Sequence, residues 1–135
     1  MINIYGKKVE NDYYSTTLHH MISDFSALIY KNKNLVVLAG DFNATEQYEN
    51  IHGNEYPSDK IIFNRLEDLG LVNCTKRQFG SHIETHIQNN IPWQDDYIFI
   101  NEKYYSKENC VIKIPDKNEI YKLSDHILLE LNIKI

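Results

Sequence analysis

The chain has 135 residues, 19 acidic and 14 basic, for a formal net charge of −5, and 42% of them are hydrophobic. That is the size of one domain and the composition of a chain that buries a core; it excludes a disordered segment, and no apolar run approaches the roughly 20 residues of a membrane span. The negative balance argues against tight nonspecific binding to duplex nucleic acid by counterion release, yet it suits a carboxylate-rich site that awaits a divalent cation.

Met1 leads directly into Ile2–Tyr5, which alternates apolar and polar residues as a strand does. No secretory signal precedes it, so a cytoplasmic location is expected. Residues 6–12 are polar and turn-like. Leu18, Met21, Ile22, Phe25, Leu28 and Ile29 then recur at three- and four-residue steps, one face of an amphipathic helix that Asp12 or Ser15 can cap. Residues 35–39 form an unbroken apolar run, the pattern of a strand buried on both faces. Residues 46–57 read as a polar loop. Ser58 is positioned to cap a second helix, with Ile61, Ile62, Arg65, Leu66 and Leu69 inside and Gly70 as its stop. Residues 71–75 and 81–87 read as extended, and residues 96–100, 111–114 and 127–135 as further strands. A helix separates the first two strands, which makes them candidates for parallel pairing; short turns join the later ones, which favours antiparallel pairing. The expected architecture is a mixed α/β sheet. Cys74 and Cys110 lack metal-ligand spacing and read as buried free thiols.

Three places carry chemistry. Gly40-Asp41-Phe42-Asn43 ends the buried strand, and the C-terminal ends of strands are where open α/β sheets bind ligands. Asp41 can order or deprotonate a water, and Asn43 can donate to a phosphate oxygen; the same residues are equally suited to a plain turn in which they bond their own backbone. Asp96 heads a buried strand, where a carboxylate can fix the tautomer of a histidine; its neighbour Asp95 should face the other way if the strand has begun. Ser124-Asp125-His126 puts an acid beside an imidazole before the last strand, an arrangement open to phosphoryl chemistry or to a surface turn.

In this order the three motifs resemble the second half of the endonuclease/exonuclease/phosphatase superfamily, the group of exonuclease III and DNase I-like enzymes. The resemblance implies a two-sheet sandwich flanked by helices, and it treats residues 1–135 as the C-terminal portion of one such domain. It implies hydrolysis of a phosphate ester by activated water, with nucleic acid or a phosphorylated small molecule or lipid as substrate. It implies that Asp41 activates the water near a metal, that Asn43 holds the scissile phosphate, that Asp96 orients the catalytic His126, and that Asp125 lies at the metal. Tyr5 takes the place of a phosphate-contacting tyrosine. The implied ion is magnesium or manganese. The glutamate that usually ligates it belongs to an upstream half, since Glu10 follows the Tyr5 strand. The chain is therefore expected to self-associate, to pair with a separate N-terminal half, or to act as an inactive fragment or binding module. His82, Glu84 and His86 alternate and would share one face of a strand, a possible zinc set to which the resemblance gives no role.

Overall fold

The computed structural model describes residues 1–9, 14–31, 34–47 and 58–134. Its elements run β1 (Ile2–Tyr5), α1 (Tyr14–Lys31), β2 (Val37–Asp41), α2 (Ser58–Asp68), β3 (Leu71–Asn73), α3 (Cys74–Phe79), β4 (His86–Gln88), β5 (Ile91–Trp93), β6 (Asp96–Asn101), β7 (Cys110–Lys113), α4 (Lys117–Ile120) and β8 (Glu130–Ile133). A 3₁₀ turn, Glu102–Tyr104, follows β6.

Four strands form one mixed sheet in the order β1-β2-β6-β3. The helical crossover makes β1 and β2 parallel, and β6 runs antiparallel to both β2 and β3. Side-chain parity assigns the two faces. Ile4, Leu38, Leu71, Tyr97 and Phe99 pack with Leu18, Ile22, Phe25 and Ile29 of α1 and Ile62, Phe63 and Leu66 of α2. Val37, Val72, Ile98 and Ile100 point the opposite way and pack with Cys110 and Ile112 of β7, flanked by Leu131 and Ile133 of β8. The β7–β8 hairpin thus covers the face that the helices leave open. Burial on both faces explains why residues 35–39 and 97–100 lack polar alternation. Among the described residues no helix is long and apolar enough to cross a membrane.

Several expectations shift in register. Ser15 lies inside α1 and Ser58 is the first residue of α2, so neither is a flanking cap; Asp12 and residues 48–57 lie outside the described residues. Ile61 is 48% exposed, and Phe63 takes the inward position instead. Residues 71–75 are not one extended segment. The Asn73 side chain accepts from Lys76 N, and Gly80 closes the turn in the left-handed region, so a short helix fills residues 74–79. Cys74 and Cys110 are buried and unlinked, with sulfurs 3.7 Å apart.

Candidate active site

The register of the sheet brings the first three residues together. Tyr5 lies opposite Asp41 on the parallel neighbour, and Asp41 lies opposite Asp96 on the antiparallel one. They form a single row at the C-terminal end of β1 and β2. Asp41 shares parity with Val37, and Asp96 with Ile98, so both carboxylates leave the sheet on the face of the β7–β8 hairpin. Tyr5 is 63% exposed at the edge of this row.

The exit from β2 is set by its sequence. Phe42 is buried against Phe63, Tyr97 and Phe99, at ring-centroid distances of 6.3, 5.3 and 5.8 Å. Sinking that ring turns the flanking Asp41 and Asn43 outward. Asn43 adopts a φ of 46°, a conformation asparagine tolerates better than most residues. The Asp41 carboxylate accepts from Asn43 N at 2.8 Å and from Asn43 Nδ2 at 2.8 Å. The turn reading and the site reading therefore describe the same atoms. Asn43 Nδ2 also donates to the Gly6 carbonyl at 2.9 Å, while Gly6 N donates to the Asp41 carbonyl at 2.8 Å. Both amide hydrogens of Asn43 are spent on the protein, so a contact to phosphate requires release of one of these bonds. A Cβ at Gly6 would sit 2.0 Å from the Phe42 carbonyl oxygen, so only glycine permits this approach.

His126 arrives from the other end of the chain. Ile87 N donates to the Asp125 carbonyl at 3.0 Å and Ile127 N to the Thr85 carbonyl at 2.7 Å, which pins residues 125–127 antiparallel to residues 85–87. His126 Nδ1 then meets Asp96 Oδ2 at 2.9 Å. Burial opposes charge on the His126 ring, but the Asp96 hydrogen bond and the fields of Asp96, Asp41 and Asp125 outweigh it and raise its pKa above 6.5. Burial also raises the Asp96 carboxyl, with His126 and Thr85 pulling the other way. Both shifts have one meaning: the dyad holds its protons more tightly than free side chains do.

The same bridge delivers His86, which the sequence placed only in a possible zinc set with His82 and Glu84. His86 Nδ1 lies 2.7 Å from Asp95 Oδ2, and its ring stacks on that of His126 at 4.1 Å with 10° between planes. The β4–β5 hairpin is responsible. Asn89 and Asn90 both take positive φ, 51° and 62°, the requirement of a tight two-residue turn. That turn sets His86 opposite Trp93, two residues before Asp95. Strand β6 begins at Asp96, so the alternation expected to send Asp95 to the far face has not yet started, and each aspartate holds one histidine. Burial raises the Asp95 carboxyl, opposed by His86 and reinforced by Asp41 and Asp96. The backbone amides of Asp95 and Asp96 both donate to the buried Thr85 hydroxyl, at 3.1 and 3.0 Å, which fixes this corner. The Asn89-Asn90 pair between two short apolar runs was the available signal.

His82 and Glu84 do not join His86. Residues 81–85 are not a strand; His82 faces Glu46 at 3.5 Å and Glu84 faces Lys117 at 3.3 Å. The basic pair Lys76 and Arg77 reaches Glu46 and Glu102. A cleft of about 310 Å³ opens beside the His86–Asp95 pair, lined also by Asn43, Thr45, Asp59 and Trp93; Asp41, Asp96, Asp125 and His126 are not part of its lining.

Two Asp–His pairs thus stand side by side, with Asp125 Oδ2 3.8 Å from His86 Nε2 and Asp41 beside Asp96 in the sheet register. Magnesium or manganese takes one or two carboxylates besides water and phosphate; among the described residues the group close enough to hold an ion is His86, Asp125 and His126, with ligand atoms within 4.8 Å, and Asp41 is not in it.

No family model and no curated protein matches the sequence. Solved structures do match in fold. An AP endonuclease from Archaeoglobus fulgidus superposes with a TM-score of 0.70 at 18% identity, covering 98% of this chain and 60% of that one. A 3′ phosphatase, NExo from Neisseria, bound to a product DNA hairpin, gives 0.75 at 14% identity with the same coverage. An endonuclease/exonuclease/phosphatase family protein from Leptotrichia buccalis gives 0.57 at 20%, covering 85% of this chain and 43% of that one. This chain spans about 60% of the length of the first two structures. It has the mixed α/β, DNase I-like fold of these nucleases and phosphatases, and at such identities the likeness is one of fold.

Proposed function

We propose that residues 1–135 are part of one endonuclease/exonuclease/phosphatase domain and hydrolyse a phosphate ester with the help of a divalent cation. The observation that carries this reading is the convergence of Asp41, Asp96 and His126 at one end of the sheet, with His126 tied to Asp96 at 2.9 Å. Placement of these side chains on separate faces would have removed its basis.

The chemistry follows from the atoms present. Asp96 occupies Nδ1 of His126, so Nε2 is left to face substrate. Despite burial, the Asp96 bond and the nearby carboxylates raise the His126 pKa and so shift the ring toward its cation, which suits a phosphate oxygen that gains charge as the ester is attacked. Asp41 spends one bond on each carboxylate oxygen and retains lone pairs for an attacking water, which it orders and from which it accepts a proton. Asn43 holds Asp41 and exchanges a bond for phosphate when substrate binds. Tyr5 presents its hydroxyl at the rim. Asp41 and Asp125 would each offer a carboxylate to magnesium or manganese, which supplies charge neutralisation and a more acidic bound water. A nucleic-acid substrate is favoured because the two most similar folds above belong to an AP endonuclease and to a phosphatase holding a DNA hairpin; phosphorylated small molecules or lipids are the other substrates this site could accept.

Plasmid DNA and a simple aryl phosphodiester, each with magnesium or manganese, test the proposal. Cleavage should depend on the ion and fall at least about a hundredfold in Asp41→Ala and His126→Ala, the usual scale for a charge or proton-transfer group. Activity unchanged by both replacements would end this reading.

A second reading rests on the chain spanning about 60% of its structural neighbours. In it the chain is one part of a split enzyme, or an inactive binding module, that needs a separate half or a second copy. Light scattering after size exclusion, and recovery of activity on adding an upstream half with a metal-binding glutamate, distinguish it from activity in this chain alone.

A further inference from the structure

We propose that His86, Asp125 and His126 form a binding site for a zinc-class transition-metal ion, separate from the magnesium or manganese role above except that the two share Asp125. The ligand atoms of these three residues lie within 4.8 Å of one another, and His86 Nε2 is 3.8 Å from Asp125 Oδ2. Two imidazoles and one carboxylate are a donor set that zinc accepts and magnesium does not favour.

The outer partners carry the argument further. A histidine that binds a metal through Nε2 typically gives its Nδ1–H to a carboxylate, which fixes the tautomer and makes the ligating nitrogen more basic. Both histidines have that partner: Asp95 at 2.7 Å from His86 Nδ1 and Asp96 at 2.9 Å from His126 Nδ1. The two Nε2 atoms are therefore the remaining ring donors, on neighbouring rings whose planes must splay for both to reach one ion. Each supporting aspartate is anchored through its own amide to the buried Thr85 hydroxyl, so the pair is built as a unit.

Tetrahedral ligands at about 2.0–2.1 Å from zinc lie about 3.4 Å apart. His86 Nε2 and Asp125 Oδ2 already stand 3.8 Å apart; closing on one ion takes a shift of the exposed Asp125 side chain and an opening of the two rings from their 10° stack, so that both in-plane Nε2 lone pairs meet at the ion. The fourth position is open to water or to a ligand oxygen. Occupation would take His126 Nε2, the atom that the hydrolytic reading assigns to phosphate, so zinc and phosphate binding through His126 exclude each other; this consequence, unlike the site itself, rests on that reading.

The test needs no substrate, so its outcome is independent of hydrolysis. Chelator-stripped full chain is titrated with cobalt(II), followed by displacement with zinc. The expected result is one equivalent of cobalt with the intense visible bands of a four- or five-coordinate ion, lost on adding one equivalent of zinc. His86→Ala should weaken binding by at least about tenfold, and Asp95→Asn, which preserves volume, by about 10- to 100-fold. Circular dichroism establishes that each variant is folded, and Asp95→Asn answers if His86→Ala is not. A pale six-coordinate spectrum in the wild type, or unchanged affinity in folded His86→Ala or Asp95→Asn, overturns the proposal.

Discussion

Thr85→Val isolates the device that holds the two Asp–His pairs. The Thr85 hydroxyl is fully buried and accepts from two consecutive backbone amides, Asp95 N and Asp96 N. Valine has the same branched shape and similar strand preference, so it fills the space and keeps the backbone bonds from Thr85 N to Trp93 O and from Ile127 N to Thr85 O. What it removes is one hydroxyl that accepts from two part-buried amides and also bonds the Asp96 carboxyl. A buried amide left without a partner costs about 1–3 kcal/mol. Two on one corner, relaxing together, should cost about 2–4 kcal/mol. Thr85→Ser keeps the oxygen and loses one methyl group, at about 1 kcal/mol. Urea unfolding, with equal slopes for all three proteins so that midpoints report stability, should therefore place Val below Ser by about 1–3 kcal/mol. A valine variant within about 0.5 kcal/mol of the serine variant would refute the claim that this hydroxyl carries the corner.

Asp96→Asn should lower the titration midpoint of His126, which sits above 6.5 in the intact dyad, as followed by the ring proton shifts in NMR; an unmoved midpoint would assign the shift to Asp41 and Asp125 instead. His19 offers a stability test with the opposite sign. Its Nδ1 faces Arg65 Nη1 at 2.8 Å, and burial first, then the Arg65 charge, lower its pKa below 6.5. As pH falls below 6.5 the unfolded chain takes up a proton that the folded one refuses, so stability should drop between 6.5 and the folded pKa and be unaffected by His19 above 6.5. His19→Gln should flatten that part of the unfolding profile, and an unchanged profile would contradict the lowered pKa. Gly6→Ala forces a methyl group against the Phe42 carbonyl oxygen and should cost about 2 kcal/mol or more; an unaltered thermal midpoint would show that the two loops do not approach this closely.

The parts of this molecule that the sequence discloses are those with a strong local signature. The apolar run at residues 35–39 and the abrupt Gly40-Asp41-Phe42-Asn43 that ends it are legible because burial on both faces and a ring driven into the core leave unmistakable residue types. The phase of α2 is less legible. Ile61 and Phe63 are both apolar, and 11 residues are too few for periodicity to choose between them; packing against Phe42 and Tyr97 decides for Phe63. The six-residue helix α3 cannot show a period at all, and only its Asn73 cap and Gly80 stop announce it.

His86 was obscured for a different reason. Its role depends on two long-range facts: the turn at Asn89-Asn90 that folds it toward Asp95, and the pairing of residues 85–87 with residues 125–127, about 40 residues away. Neither leaves a mark in the residues next to it, and the alternation of His82, Glu84 and His86 pointed to a strand that the chain does not form. The consecutive aspartates are the clue that survives. A strand that had already begun at Asp95 would send its side chain away from Asp96; a strand that begins at Asp96 releases Asp95 from alternation and lets each carboxylate hold one of the two histidines. Where β6 starts therefore decides whether the molecule carries one Asp–His pair or two. Thr85, by accepting both amides, is the residue that sets that start.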